Sequence, residues 1–324
     1  MEHPDLLRPK SRMAALLAGL AARDGFTPTR LPDVQVVRNS QPFARRPVVY
    51  SPGIVIVGQG IKRGYVGDAV HTYDPDHYFV TSVLLPFECE VVAASPEAPL
   101  LALSINVDRA LLGELLLEIG DTQPAEASAS CGAYSTPLTR HLRGAALRLL
   151  ECLAEERDSR ILGPQIVREI IYRVLLEEPG GTLRALAGGH GGFDQIAKAL
   201  RRIHAEYDQP LVVDALARTA GMSASVFYQH FKTITATTPL QYLKSIRLHK
   251  ARLLMAQDGL TAGAAAGLVG YASPSQFGRE FKRFFGASPV EEAARMRSRG
   301  LPGDRQDEGK SVPKDAAPPM AGTG

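Results

Sequence analysis

An internal repeat in the C-terminal third of the chain constrains the fold more than any other feature. The segment LVVDALARTAGMSASVFYQHFK at 211–232 matches TAGAAAGLVGYASPSQFGREFK at 261–282, an offset of about 50 residues. In each copy an alanine stands four residues before a glycine. A small residue lets two helices approach closely, and glycine adopts turn backbone at little cost. The repeat predicts two helix-turn-helix units, with structural turn residues Ala217, Gly221, Ala266 and Gly270.

Each predicted turn is followed by a serine that can cap a helix, Ser223 or Ser273. One face of each following helix is apolar, and we assign it to the core: Val226, Phe227, Phe231 and Ile234, then Phe277, Phe281, Phe284 and Phe285. The opposite face carries hydrogen-bonding side chains, which in a major groove can reach bases and phosphates. For one helix an ordinary solvated face explains this equally well, but two matching helices favour DNA. The predicted DNA-binding residues are Ser223, Ser225, Tyr228, Gln229, Lys232, Ser275, Gln276, Arg279 and Arg283.

Between the two units, residues 239–256 predict a long connecting helix. Thr238 is positioned to cap it, and Pro239 suits its first turn. Such a helix spans about 27 Å, and successive major-groove segments on one side of B-DNA lie about 34 Å apart. One monomer could therefore read two adjacent segments. Arg247, Lys250 and Arg252 either contact phosphate or simply solvate this helix, and the sequence leaves that choice open.

The charge distribution changes at a glycine-rich stretch, AGGHGG at 187–192. Residues 193–300 carry 15 Lys and Arg against 8 Asp and Glu, whereas residues 1–192 carry 19 against 22. A basic segment beside a mildly acidic one suggests that the C-terminal part meets a polyanion. We place the boundary between two domains at this stretch, which reads as a flexible linker.

The N-terminal part predicts a mixed domain. Residues 34–105 hold β-rich segments separated by turn signals, as in a small antiparallel barrel or sandwich, and helical periodicity follows from Arg109 to Glu178. Basic residues before a short apolar run at 8–22 resemble a secretory signal, but an amphipathic helix is the favoured interpretation. Three widely spaced cysteines favour a reducing compartment, no stretch is long enough to span a membrane, and residues 300–324 should be disordered. We expect a cytoplasmic protein.

The motifs LARTAGMSASVFYQHFK, TPLQYLKSIRLHKARLLM and VGYASPSQFGREFKRFFGASP, with their spacing, resemble the DNA-binding domain of AraC/XylS-type transcription regulators. VVYSPGIVIVGQGIKRGYVGD and the stretch after it resemble the N-terminal domain of AraC-type regulators. The resemblance covers about residues 10–299. It implies an α+β protein: a cupin-like antiparallel β-barrel (about 30–108) with a helical segment (about 109–178) in an N-terminal regulatory domain at 1–186. A linker (187–192), a seven-helix domain with two helix-turn-helix units (193–299) and the tail (300–324) would follow.

The resemblance places Ser225, Tyr228 and Gln229 where the family's first recognition helix meets bases. Ser275, Gln276 and Arg279 fall at the corresponding places in the second helix. Two departures affect the second unit. Its opening helix, TAGAAAGLVG, is unusually rich in small residues, and Pro274 takes the place of a polar contact, although proline is tolerated in a first turn.

A barrel of this kind also raises a metalloenzyme hypothesis. His71 and His77 are six residues apart, with no HxH pair and no suitably spaced glutamate, so we expect neither metal, cofactor nor catalysis. The contrasting hypotheses are a cupin-type metalloenzyme fused to a DNA-binding module and a non-specific architectural DNA binder.

The barrel would then sense an effector or form a dimer. The candidate effector-binding residues are Gln59, Lys62, Tyr65, Tyr73 and Tyr78. Helices at 136–178 either form a dimer seam or cover the barrel. Double-stranded DNA is the expected partner, joined by RNA polymerase if the protein activates transcription; a small-molecule effector and a homodimer remain open, and no membrane is expected.

Overall fold

The computed structural model describes residues 9–120, 132–177, 183–184 and 192–299. The linker at 187–191 and the tail from residue 300 lie outside the described residues, so the expectations for them stay as stated. Among the described residues, no helix is long and apolar enough to cross a lipid bilayer.

Two antiparallel sheets form the N-terminal barrel. One has the strand order β1-β2-β9-β4-β7-β10 and the other β3-β8-β5-β6. Inward residues alternate along strands such as β5, whose burial alternates residue by residue, as expected for strands with one face in a core. The strands are β1 Gly25–Pro28, β2 Val34–Asn39, β3 Phe43–Tyr50, β4 Gly53–Gln59, β5 Ile61–Val66, β6 Ala69–Tyr73, β7 His77–Thr81, β8 Leu85–Ala93, β9 Leu100–Asn106 and β10 Ala133–Pro137.

Strand β10 corrects the prediction of a purely helical segment from 109 to 178. Its Ala133 pairs with Thr81 of β7, so it extends the larger sheet. This pairing joins residues about 50 positions apart, and helical periodicity on either side gives no sign of it. The helices of this part are α1 Pro9–Leu20, α2 Arg109–Ile119, α3 Arg140–Ala154, α4 Glu156–Ile161 and α5 Gly163–Glu177.

Helix α1 agrees with the favoured interpretation of the N-terminal apolar run. Met13 and Leu17 are fully buried, and α1 contacts β4 and α3. A Cβ atom at Gly58 of β4 would lie 2.5 Å from a methyl carbon of Leu17. The glycine therefore allows the helix to lie close to the sheet.

The residues from 193 to 299 form the predicted seven helices. They are α6 Phe193–Ala205, α7 Val213–Thr219, α8 Ala224–Thr235, α9 Pro239–Gln257, α10 Ala262–Leu268, α11 Pro274–Phe285 and α12 Pro289–Arg299. Thr238 caps α9 by accepting a hydrogen bond from the Gln241 amide, with Pro239 at the first turn, as predicted.

The boundary between the two hydrophobic cores does not lie at the glycine-rich stretch where the sequence places the domain boundary. One continuous cluster includes the barrel, its helices and the first helix-turn-helix unit, with Phe227 and Phe231 among its members. The second unit has a separate cluster around Phe277 and Phe281. Two hydrogen bonds also join barrel and helices: the Gly132 amide donates to the Ile234 carbonyl at 3.0 Å, and the Tyr242 hydroxyl donates to the Leu84 carbonyl at 2.6 Å.

Candidate nucleic-acid interface

The turns of the two units are built alike. Gly221 and Gly270 have φ angles of 64° and 82°, in the left-handed region that favours glycine. The residue after each glycine donates its amide proton to the carbonyl of Ala217 or Ala266, at 3.0 Å in both cases. Both alanines are buried. The structure thus gives all four predicted turn residues the local geometry that the repeat implied.

The second turn is one residue longer, and the structure shows where that residue lies. Ser223 follows Gly221 by two positions and Ser273 follows Gly270 by three, so the additional residue lies between the glycine and the helix cap. Ser223 accepts a hydrogen bond from the amide of Val226, and Ser273 accepts one from the amide of Gln276. The caps therefore satisfy backbone donors at the first turns of α8 and α11.

Helices α8 and α11 expose all of the predicted DNA-binding side chains: Ser223, Ser225, Tyr228, Gln229, Lys232, Ser275, Gln276, Arg279 and Arg283, with Ser273 half-buried beside them. The opposite faces are apolar, since Phe227, Phe231, Phe277 and Phe281 are buried. Val226 was assigned to the core, and this is wrong: it is 44% exposed. It lies at the first turn of α8, beyond the edge of the apolar face.

Glu280 of α11 is a polar residue that the sequence analysis did not single out. Its Oε1 accepts hydrogen bonds from Lys244 Nζ at 3.0 Å and Gln276 Nε2 at 3.1 Å, and its Oε2 accepts one from the Tyr271 hydroxyl at 2.9 Å. Burial by itself raises the pKa of the Glu280 carboxyl. The hydrogen bonds from these three donors outweigh that effect, so the pKa lies below its ordinary value. Burial and the bond to Glu280 raise the pKa of Tyr271. The carboxylate is therefore ionised and the phenol protonated at neutral pH.

Two of the three cations on or near α9 have structural roles. Arg247 donates to the backbone carbonyls of Tyr207, Gln209 and Gly270 and so ties the second turn to the loop after α6. Arg252 is buried, pairs with Glu292 at 3.5 Å and lies over the Phe285 ring. Contacts within the protein, rather than contact with phosphate or solvent, explain why arginine stands at these two positions.

A cavity with a volume of about 460 Å³ lies between the two sheets of the barrel. Apolar and aromatic side chains such as Phe26, Phe43 and Val55 line it, and Lys62 enters from β5. Residues of α9 and α12 also line it: Arg252, Glu292, Arg295 and Met296. The cavity therefore borders both the regulatory barrel and the second helix-turn-helix unit.

Lys62 is a buried cation with 6% exposure. Its Nζ donates to the Tyr50 hydroxyl and lies 5.1 Å from the Tyr50 ring centre and 5.9 Å from that of Tyr73. Burial lowers the pKa of the Lys62 ammonium, but the Tyr50 and Cys89 side chains raise it and the net direction is upward. Among the described residues no carboxylate pairs with Lys62. The ammonium is a protonated donor at a cavity whose lining is partly apolar and partly polar.

The other four effector candidates do not line this cavity. Gln59 donates to the Pro99 carbonyl, and Tyr65 pairs with Glu90. Tyr73 and Tyr78 are fully buried. Only Lys62 of the five lines the cavity.

The two barrel histidines have separate surroundings. His77 Nδ1 lies 3.0 Å from Asp74 Oδ1, whereas His71 contacts the Phe79 ring and burial lowers its pKa. The described residues contain no group of three or more His, Cys, Asp or Glu side chains placed to hold a metal ion.

Two helix-turn-helix units with matching exposed polar faces, joined by one helix and packed against an antiparallel barrel, define a DNA-binding transcription regulator. Comparison with protein families agrees with this class. Residues 30–182 match the N-terminus of AraC-type transcriptional regulators, and residues 216–295 match a helix-turn-helix domain. The chain belongs to the AraC/XylS-type family of transcription regulators.

Individual relatives match only part of this chain. The chain is 36% identical over 129 residues to the HTH-type transcriptional regulator AlkR of Acinetobacter baylyi, covering 40% of each chain. It is 40% identical over 85 residues to the RCS-specific activator RclR of Escherichia coli, covering 26% of this chain and 30% of RclR. The matches thus span less than half of these curated relatives.

The whole fold is also found in a solved structure. A point variant of ToxT from Vibrio cholerae, in its apo form, superposes with a TM-score of 0.57 over 84% of this chain and 99% of ToxT, at 11% sequence identity. The barrel and helical domain therefore form a known architecture.

Proposed function

We propose that the protein is a sequence-specific transcription regulator that reads two adjacent major-groove segments with α8 and α11. The observation that carries the proposal is the matched placement of the two helices. Each begins at a serine cap after a left-handed glycine, buries two phenylalanines and exposes polar side chains. Recognition helices of helix-turn-helix proteins contact bases through their N-terminal residues.

The length of helix α9 sets the distance between the two helix-turn-helix units. Its 19 residues span about 28 Å at 1.5 Å per residue, close to the helical repeat of about 34 Å that separates adjacent groove segments. The excess of basic residues after residue 192 adds attraction for phosphate. These features support binding of one monomer along one side of the duplex.

The test is selection of bound genomic fragments with purified full-length protein at physiological salt. The full chain is used because the first unit shares its core with the barrel. A shared motif with two short blocks one helical turn apart supports the proposal, with a specificity ratio of about 10³ or more over random DNA. Equal affinity for all sequences would instead identify a non-specific architectural binder.

The barrel cavity supports a second part of the proposal: a small organic anion acts as effector. A buried charge is usually paired, because leaving it unpaired is costly. The two carboxylates that line the cavity already have other partners than Lys62: Asp24 contacts Ser40 and Arg38, and Glu292 pairs with Arg252 and Arg295. A ligand anion would pair with Lys62 while its apolar part contacts the cavity walls.

Ligand binding can be tested without DNA. Titration calorimetry would compare 3-phenylpropionate and decanoate with the matching neutral alcohols. We expect saturable binding of at least one acid, weakened tenfold or more by Lys62→Met and unchanged by the exposed-lysine control Lys198→Met. Equal binding of acids and alcohols, or binding that ignores Lys62, would remove the anion from the proposal and leave the DNA-binding function intact.

We propose that the protein acts in the cytoplasm without cofactor or catalysis, as a homodimer or a monomer, with RNA polymerase as a partner where it activates. Metal analysis of the purified protein tests the absence of a metalloenzyme, since stoichiometric iron, zinc or manganese would contradict it.

A further inference from the structure

Glu280 and Gln276 lie one helical turn apart on α11, and their hydrogen bond constrains what Gln276 can recognise. Gln276 is exposed at the third helical position, where recognition helices reach bases. Glu280 lies deeper, with a side chain only 13% exposed. It is held from two further elements, by Lys244 of α9 and Tyr271 of the turn.

The direction of the hydrogen bond follows from charge. An ionised carboxylate has no proton and can only accept hydrogen bonds, whereas an amide has an NH₂ that donates and an oxygen that accepts. The Gln276 amide must therefore turn its nitrogen towards Glu280, at the observed Nε2–Oε1 distance of 3.1 Å. Its Oε1 and its second N–H hydrogen have no partner among the described residues.

We propose that Glu280 is a positioning residue that fixes the Gln276 amide for one base, adenine. This inference rests on the proposed function, and it names the base that one side chain of α11 selects. In the major groove adenine offers the N6 amino group to the free Oε1 and the N7 acceptor to the remaining N–H. Cytosine offers an amino group alone and ranks second.

Guanine and thymine are disfavoured by the same geometry. Guanine presents the acceptors N7 and O6, and thymine presents the acceptor O4. In either case the amide oxygen of Gln276 faces another acceptor, with which it cannot form a hydrogen bond. An unconstrained glutamine could rotate its amide and donate to guanine. The bond to Glu280 removes that option, because rotation would bring the amide oxygen against a carboxylate.

The experiment is selection from a DNA library randomised over the site of the second unit, with full-length protein. Gln276→Ala first identifies the position that Gln276 reads. We expect adenine there in the wild type, preferred over guanine by about tenfold or more. Glu280→Gln should reduce the adenine-to-guanine ratio at that position at least fivefold and leave the other positions unchanged, because its amide can accept or donate.

Glu206→Gln is the matched control. It removes the same charge from the C-terminal half, at the end of α6, and should change affinity for all sequences alike without altering base preference. Gln276 is exposed, so Gln276→Ala should fold and identify the base position even if Glu280→Gln proves unstable. In that case Lys244→Met is the second variant. It leaves the Gln276–Glu280 bond in place and should keep the adenine preference.

Three results would overturn the proposal while leaving sequence-specific binding in place. They are guanine or thymine at the position that Gln276→Ala identifies, an unchanged ratio in a folded Glu280→Gln protein, and loss of the adenine preference in Lys244→Met. If the wild type enriches no motif, the proposed function fails as well, since there is then no base readout for Glu280 to direct.

Discussion

Gly221 and Gly270 share a backbone conformation but have different surroundings. A Cβ atom at Gly221 would approach only Gln195, at 3.9 Å, whereas one at Gly270 would lie 2.2 Å from the Asp208 carbonyl oxygen. Equivalent positions of a repeat can therefore tolerate substitution differently. The reason lies in the loop after α6, which packs against the second turn.

We predict that Gly221→Ala lowers the free energy of unfolding by about 1–2 kcal/mol, the cost of left-handed backbone for a residue with a side chain. Gly270→Ala should cost about 1–3 kcal/mol more, because backbone must move to admit the methyl group. Urea denaturation of both variants beside the wild type measures the difference. Equal losses would mean that the Asp208 loop shifts freely.

Arg279 is the exposed cation nearest the middle of α11, and its role in readout can be separated from simple attraction. We predict that Arg279→Ala relaxes preference at one or two base pairs, by about 1–3 kcal/mol of discrimination. Quantitative competition between single-base operator variants measures it. A uniform loss for all sequences, with a salt slope lower by about one, would identify Arg279 as a phosphate contact instead.

At the scale of elements, helix α10 contributes two of its small residues, Ala265 and Ala266, to the core of the second unit. Ala265, Ala266 and Val269 have no exposed surface, in the cluster that includes Phe277 and Phe281. The sequence showed only a helix that is unusually rich in small residues. Large side chains from α9 and α11 fill the space instead, which a single-helix pattern cannot reveal.

His249 of α9 is a buried titratable group in the same unit. Arg252 Nη2 lies 3.3 Å from its Nδ1, and the rings of Phe284 and Phe285 pack edge-on to it. Burial, and then the charge of Arg252, lower the pKa of His249 well below 6.5. Glu292, which pairs with Arg252, is the nearby acidic group.

We predict that this histidine makes stability decrease as the pH falls. The unfolded state takes up its proton near pH 6.5, whereas the folded state resists protonation to lower pH, so acid favours unfolding from 6.5 downward until the native pKa is reached. Unfolding curves between pH 8 and 5 should show a shallower slope for His249→Leu than for the wild type. His71 also has a lowered pKa, so only the difference between the two slopes reports on His249.

At the scale of the whole molecule, the first unit and the barrel form one packed body. The Tyr242 hydroxyl donates to the Leu84 carbonyl, and burial raises the Tyr242 pKa, which keeps it a donor. Near this contact Gly132 binds the end of α8 through the Ile234 carbonyl. These contacts join the barrel directly to the first recognition helix, while Arg252 and Glu292 of the second unit line the barrel cavity.

We predict that Tyr242→Phe weakens the contact between barrel and helices by about 1–3 kcal/mol, the cost of leaving a buried carbonyl without its donor. Hydrogen exchange should accelerate at the Gly132 amide, whose acceptor lies on α8, and remain unchanged in α11. Equal protection at Gly132 in both proteins would mean that apolar packing alone holds the contact.

The sequence by itself determined the two helix-turn-helix units, their serine caps, the long connecting helix and the class of the protein. These features depend on helical periodicity, on capping and on glycine conformation, which act over a few residues. Only the tertiary structure decided the place of β10, the structural roles of Arg247 and Arg252, the isolation of Lys62 and the network around Glu280. Each of these depends on contacts between residues that are distant in sequence, as Leu84 and Tyr242 are, and no local pattern encodes which distant atoms will meet.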